Sequence, residues 1–166
     1  MHGQGRGCVF DFFQLPAYTS NMVPRELPQS LCLSGALRRA SRAVSRIYDE
    51  EFRAVGLKST QYSLLVSLNR AGEVRQGDLG ELTCLEETTL TRNLRLLISA
   101  GWVEVRAGSD RREKWIRTTS AGNEILAKAR PAWLRAQERL KQSLPEGVWQ
   151  SIMTALPVVT QAAAKG

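Results

Sequence analysis

The sequence predicts a mainly α-helical fold with a small β-ribbon, arranged as a winged helix-turn-helix. Three observations predict it. Two short segments carry leucines at helical spacing, Leu79 and Leu82 in the first and Leu90, Leu94 and Leu97 in the second, with a sharp turn between them. They run directly into two stretches of alternating apolar residues, Val103 and Val105 outward and Ile116 on the return. Longer helical patterns stand on both sides of this unit.

Length and composition narrow the function classes. The chain has 166 residues, enough for one domain with a proper core, and 43% of them are hydrophobic without any run of membrane-spanning length. The net charge of +7 favours a polyanionic partner such as nucleic acid. Cys8, Cys32 and Cys84 lie far apart and His2 is the sole histidine, so neither a zinc site nor any other metal or cofactor is expected. No histidine inside the body of the chain offers a general base, and neither G-x-S-x-G nor a phosphate-cradling glycine loop occurs. The chain therefore does not read as an enzyme. An odd cysteine count without a recognisable secretion signal fits a reducing, cytoplasmic setting.

Along the chain, residues 1–29 are rich in Gly and Pro and show no sustained period, which reads as an extension, with Phe10, Phe12 and Phe13 as its docking residues. Met22 offers an alternative start. Residues 30–166 read as one domain. From about residue 30, Leu33, Leu37, Ala40, Val44 and Ile47 form an apolar stripe, and Gly56 is a natural stop. A second helix starts near Thr60, carries Tyr62, Leu65 and Leu68, and ends at Ala71-Gly72. In the helix-turn-helix that follows, Gly80 supplies a small residue where the two helices cross. After the ribbon, Thr119 caps a long helix through about Lys141, in which Pro131 predicts a kink or a break. A last helix from Pro145 carries Val148, Ile152, Leu156 and Val159, with Pro157 expected to shorten or bend it.

The pattern of side chains points to DNA. A helix-turn-helix sets the start of its second helix into the major groove. With Leu90, Leu94 and Leu97 taking the buried face, Thr88, Thr89, Thr91, Arg92 and Arg95 are left for the outside. Threonine methyls suit thymine, and arginine bonds guanine or clamps a phosphate. Glu86 and Glu87 complement the helix dipole at its start. The ribbon tip carries Arg111 and Arg112, suited to the narrow, electronegative minor groove, with Asp110 placed to hold one of them. A solvated charge cluster is the plain alternative for each of these residues. Residues 88–118 carry seven basic and three acidic side chains, and this local excess favours the DNA reading.

The chain resembles the MarR family of bacterial transcriptional regulators. The resemblance runs from Leu31 onward and is carried by "LRRASRAVSRIYDEEFRAVGLKSTQYSLL", "TTLTRNLRLLISAGWVE" and "SDRREKWIRTTSAG". It implies a homodimeric winged-helix regulator on a pseudo-palindromic operator of double-stranded DNA. The DNA-binding lobe would span about 58–118, and the dimerisation helices about 30–55 and 119–162. Asp110 and Arg112 match the family's Asp-x-Arg pattern in the wing. Three positions depart from the family pattern: Cys84 stands where glycine is usual, Thr83 where leucine is common, and Thr118 where an aliphatic residue is usual.

Control follows one of two routes in this family, small aromatic or anionic effectors or oxidants. "SLCLSGALRRASRAVSRIYD" resembles the first helix of organic-hydroperoxide sensors, and Tyr48 matches one of their tyrosines. The same alignment puts Ser34 at the reactive cysteine's place. Cys32 lies two residues earlier, about 200° round a helix. Cys32, the possible redox residue, and Cys84 are therefore expected as small buried hydrophobes. A repressor released by a small effector is the leading expectation, with Tyr48, Phe52 and Tyr62 as candidate pocket residues or ordinary core. An oxidant sensor acting through Cys32 is the alternative, and a helical interaction or RNA-associated module without specific DNA binding is a reading of a different class.

Overall fold

The computed structural model describes residues 32–164 except 109, 111 and 112. The expected extension and the wing residues Arg111 and Arg112 thus lie outside the described residues. The first helix, α1 (Leu33–Phe52), continues into a 3-10 turn, Arg53–Val55, that stops at Gly56 with φ of 71°. Helix α2 (Ser59–Ala71) follows. Its start is capped from outside: the Ser59 amide donates to Asp49 Oδ1 of α1 at 2.6 Å. The helix-turn-helix consists of α3 (Gln76–Thr83) and α4 (Glu87–Ser99), preceded by a two-residue strand β1 (Val74–Arg75) that periodicity did not reveal. Strands β2 (Val103–Ala107) and β3 (Lys114–Thr118) form the ribbon. The antiparallel sheet has the order β1-β3-β2, with Val74 and Val105 both paired to Ile116.

One core joins these parts. Phe52, Leu57, Leu65, Leu68, Leu79, Leu90, Leu97, Val103 and Ile116 are buried in a single cluster from α1 to the ribbon. Each burial of this size is worth about 1.5–3 kcal/mol, so the cluster holds the helix-turn-helix and ribbon against α1. Helix α5 (Ser120–Gln142) buries small residues, Ala129, Ala132 and Ala136, and lies along α1. Outside that contact, Arg135 pairs with Glu51 at 2.9 Å and Arg139 with Glu50 at 2.7 Å.

Several expectations change. Pro131 does not break α5, and α6 (Val148–Ala163) runs six residues past Pro157. Each proline leaves one carbonyl four residues earlier without its helical donor. Here Pro131, Ala127, Pro157 and Met153 are all exposed, so water can supply the missing bond. Leu82 is 63% exposed rather than core, because α3 is too short for a second buried turn beyond Leu79. A β-carbon on Gly80 would meet Leu85 O at 3.5 Å and Leu90 Cδ2 at 3.6 Å, ordinary contact, so no close crossing demands glycine there. Both cysteines expected inside are exposed: Cys32 precedes the first turn of α1, and Cys84 occupies the turn between α3 and α4.

The terminal helices leave apolar surface open. The stripe on α1 begins at Leu33, which is exposed, and among the described residues of α6 none is buried. Ile152, Met153, Leu156 and Val158 all stand on its exposed surface. Helical periodicity identifies an apolar face but does not say whether the same chain covers it.

Candidate nucleic-acid interface and its adjoining cleft

The turn between α3 and α4 is built by backbone bonds at the end of α3. The Cys84 amide donates to Glu81 O at 3.2 Å and the Leu85 amide to Gly80 O at 3.1 Å. This is the pairing of a helix stop through a left-handed residue, and Cys84 adopts that conformation with φ of 52°. A cysteine there carries the steric cost that glycine avoids. Thr83 turns its hydroxyl back to donate to Leu79 O at 2.7 Å, closing the last turn of α3.

Helix α4 buries Leu90, Leu94 and Leu97 and presents the opposite face outward. At about 100° per residue, Thr88, Arg92 and Arg95 fall on that outward face, and all three are exposed. Thr89 and Thr91 do not join them: both are half-buried, on opposite flanks of the helix. Thr91 Oγ1 accepts from Gln76 Nε2 at 3.1 Å, tying α4 to the first residue of α3. The Thr91 hydroxyl thus makes a contact between the two helices of the motif. Gln76 was missed in the sequence, where nothing marks a glutamine as reaching across fifteen residues.

The wing is braced at its base. Arg106 of β2 forms a two-pronged pair with Glu73, Nε to Oε1 at 2.5 Å and Nη2 to Oε2 at 2.6 Å. The Arg106 guanidinium holds the Glu73 carboxyl below its usual range. Arg117 of β3 pairs with Glu104 of β2. Asp110 is exposed at the loop, and its carbonyl accepts from the Glu113 amide at 2.9 Å.

Behind α4 lies a cleft of about 1320 Å³ between α1, α2, α4 and α5. Tyr48, Phe52 and Tyr62 line it together. Phe52 is also fully buried core, with ring centroids 6.1 Å from Tyr48 and 4.7 Å from Tyr62. Burial pushes both tyrosine hydroxyls up from their ordinary pKa, so both are neutral donors near pH 7; for Tyr62 the nearby Arg130 and Arg70 oppose that rise. Arg70, Arg92 and Arg130 all line the cleft, and among the described residues no aspartate or glutamate does. Arg70 lies eight residues after Tyr62 on α2, a shared-face spacing that was legible in the sequence. Arg130 comes from α5 and could not be placed that way.

Helix, turn, helix and braced ribbon, with a polar and basic outer face on the second helix, define a winged helix-turn-helix protein. The MarR family model matches residues 57–114. The chain is 35% identical to the transcriptional regulator MosR of M. tuberculosis, solved in complex with DNA, covering 80% of this chain and 96% of that one with a TM-score of 0.71. It is 28% identical over 104 residues to the uncharacterized HTH-type transcriptional regulator YwoH of Bacillus subtilis (strain 168), covering 63% of this chain and 76% of that protein. A variant of MarR from E. coli complexed with operator DNA shares the fold at 21% identity, with a TM-score of 0.68 over 76% of this chain and 92% of that one. The chain belongs to the MarR family of DNA-binding transcriptional regulators.

Proposed function

We propose that this protein is a homodimeric, cytoplasmic repressor that binds a pseudo-palindromic operator and is released by a small aromatic or anionic effector. The observation that carries the reading is the cleft itself: aromatic residues and three arginines, with no carboxylate among the described residues, line a space that reaches the recognition helix. Thr88, Arg92 and Arg95 serve as the major-groove residues, with Thr89 and Thr91 at their flanks. Arg111 and Arg112 serve in the wing, oriented by Asp110. The apolar faces left open on α1 and α6 favour a second copy of the chain as their cover, placing two recognition helices on one duplex.

Selection of bound duplexes from a random pool, followed by binding across salt concentrations, tests the DNA reading. A steep loss of affinity with salt and a two-fold symmetric selected site are expected. A flat salt response would instead favour an interaction or RNA-associated module.

Exposure of Cys32 supports one further reading, an oxidant-sensing regulator. Accessibility is a precondition for reaction with a hydroperoxide. Operator release by organic hydroperoxide in the wild type but not in Cys32→Ser would establish it. Release by neither protein would leave effector binding as the control.

A further inference from the structure

Resting on the effector-cleft reading above, we propose that Arg92 is shared between the DNA face and the cleft, so that an anionic effector releases DNA by drawing this guanidinium away from it. Arg92 stands on the outward face of α4 with Thr88 and Arg95, yet it also lines the cleft, which those two residues do not. Its helix neighbours Thr89 and Asn93 line the cleft as well, so Arg92 sits on the edge between the two surfaces.

Charge gives the edge position its consequence. Among the described residues, Arg70, Arg92 and Arg130 form no ion pair with a carboxylate, whereas Arg75, Arg106, Arg117, Arg135 and Arg139 all do. All three arginines are exposed and line one cleft, so an anion entering it meets positive charge. A DNA phosphate or guanine draws Arg92 outward. An anion seated near Arg70 and Arg130 draws it inward. One guanidinium cannot satisfy both partners, so the two binding events oppose each other, and reciprocally: DNA weakens effector binding by the factor by which effector weakens DNA binding.

The test uses 1-naphthoate as the aromatic anion and the tightest duplex from the selection, with affinities measured for full-length wild type, Arg92→Gln and Arg95→Gln. In the wild type, saturating 1-naphthoate lowers DNA affinity about tenfold or more, and Arg95→Gln, though weaker on DNA, keeps that factor. In Arg92→Gln the factor falls to about two or less, and 1-naphthoate binding without DNA weakens several-fold. The DNA-free measurement decides the matter even if Arg92→Gln binds no duplex. Full coupling in Arg92→Gln, or unchanged 1-naphthoate affinity in it, overturns the shared role of Arg92 while leaving the effector cleft standing. Binding of 1-naphthoate to the wild type with no effect on DNA, or no binding at all, overturns the effector-cleft reading and this inference with it.

Discussion

The backbone carbonyl of Trp102 occupies the space where a β-carbon on Gly122 would stand. Thr118 Cγ2 closes the same space from the other side, 2.6 Å from that point. Around them, the Thr119 amide donates to Trp102 O at 3.0 Å, and Thr119 Oγ1 donates to Gly101 O at 2.7 Å while accepting from the Gly122 amide at 3.0 Å. The end of the DNA lobe and the first turn of α5 are thus locked together at one glycine.

Gly122→Ala should destabilise the fold by about 2–3 kcal/mol, since the obstacle is backbone and cannot rotate aside. Gly80→Ala is the contrast. Its β-carbon finds ordinary contact distances, and alanine's helix propensity should stabilise by up to about 1 kcal/mol. Urea denaturation of both variants checks the pair, and equal effects would sink the steric argument.

Cys84→Gly should stabilise the protein by about 0.5–1 kcal/mol. It relieves a left-handed residue at φ of 52° and removes an exposed side chain whose thiol donates only a weak bond, 3.8 Å long, to Glu81 O. A lower unfolding midpoint in the variant would show that the thiol makes a contact worth more than the strain.

Arg112→Ala should weaken operator binding by about 1–3 kcal/mol in a protein that remains folded. The motivation is its match to the wing pattern beside the exposed Asp110. Unchanged affinity would remove the wing arginine from the mechanism.

Truncation before Pro145 should yield monomers or insoluble protein, because it removes the apolar face of Ile152, Met153, Leu156 and Val158 that the chain leaves open. Monodisperse dimers in light scattering would place the dimer interface elsewhere.

The Glu73–Arg106 brace carries a pH signature. Arg106 depresses the folded-state pKa of Glu73, so its contribution is present above the ordinary carboxylate pKa and is lost as pH falls through the folded value. Glu73→Gln should therefore lower the melting temperature near neutrality, and the gap to wild type should close in strong acid. A gap independent of pH would mean the glutamate acts through packing alone.

Local pattern alone determined much of this protein. The leucine spacing of α4, the threonine cap of α5 and the alternation of Val103, Val105 and Ile116 each act over a few residues of chain, where periodicity and capping chemistry are decisive. The outward placement of Thr88, Arg92 and Arg95 followed from the leucines on the other face. Tertiary structure alone decided what depends on contacts between distant segments. It turned Thr91 toward Gln76, set strand β1 beside Ile116 and gathered Arg70, Arg92 and Arg130 from three helices into one cleft. It also left α6 uncovered, because an apolar stripe records that a face will be buried but not which chain buries it. Cys32 and Cys84 lie outside, since a cysteine's burial is set by its neighbours in space and not by its own chemistry.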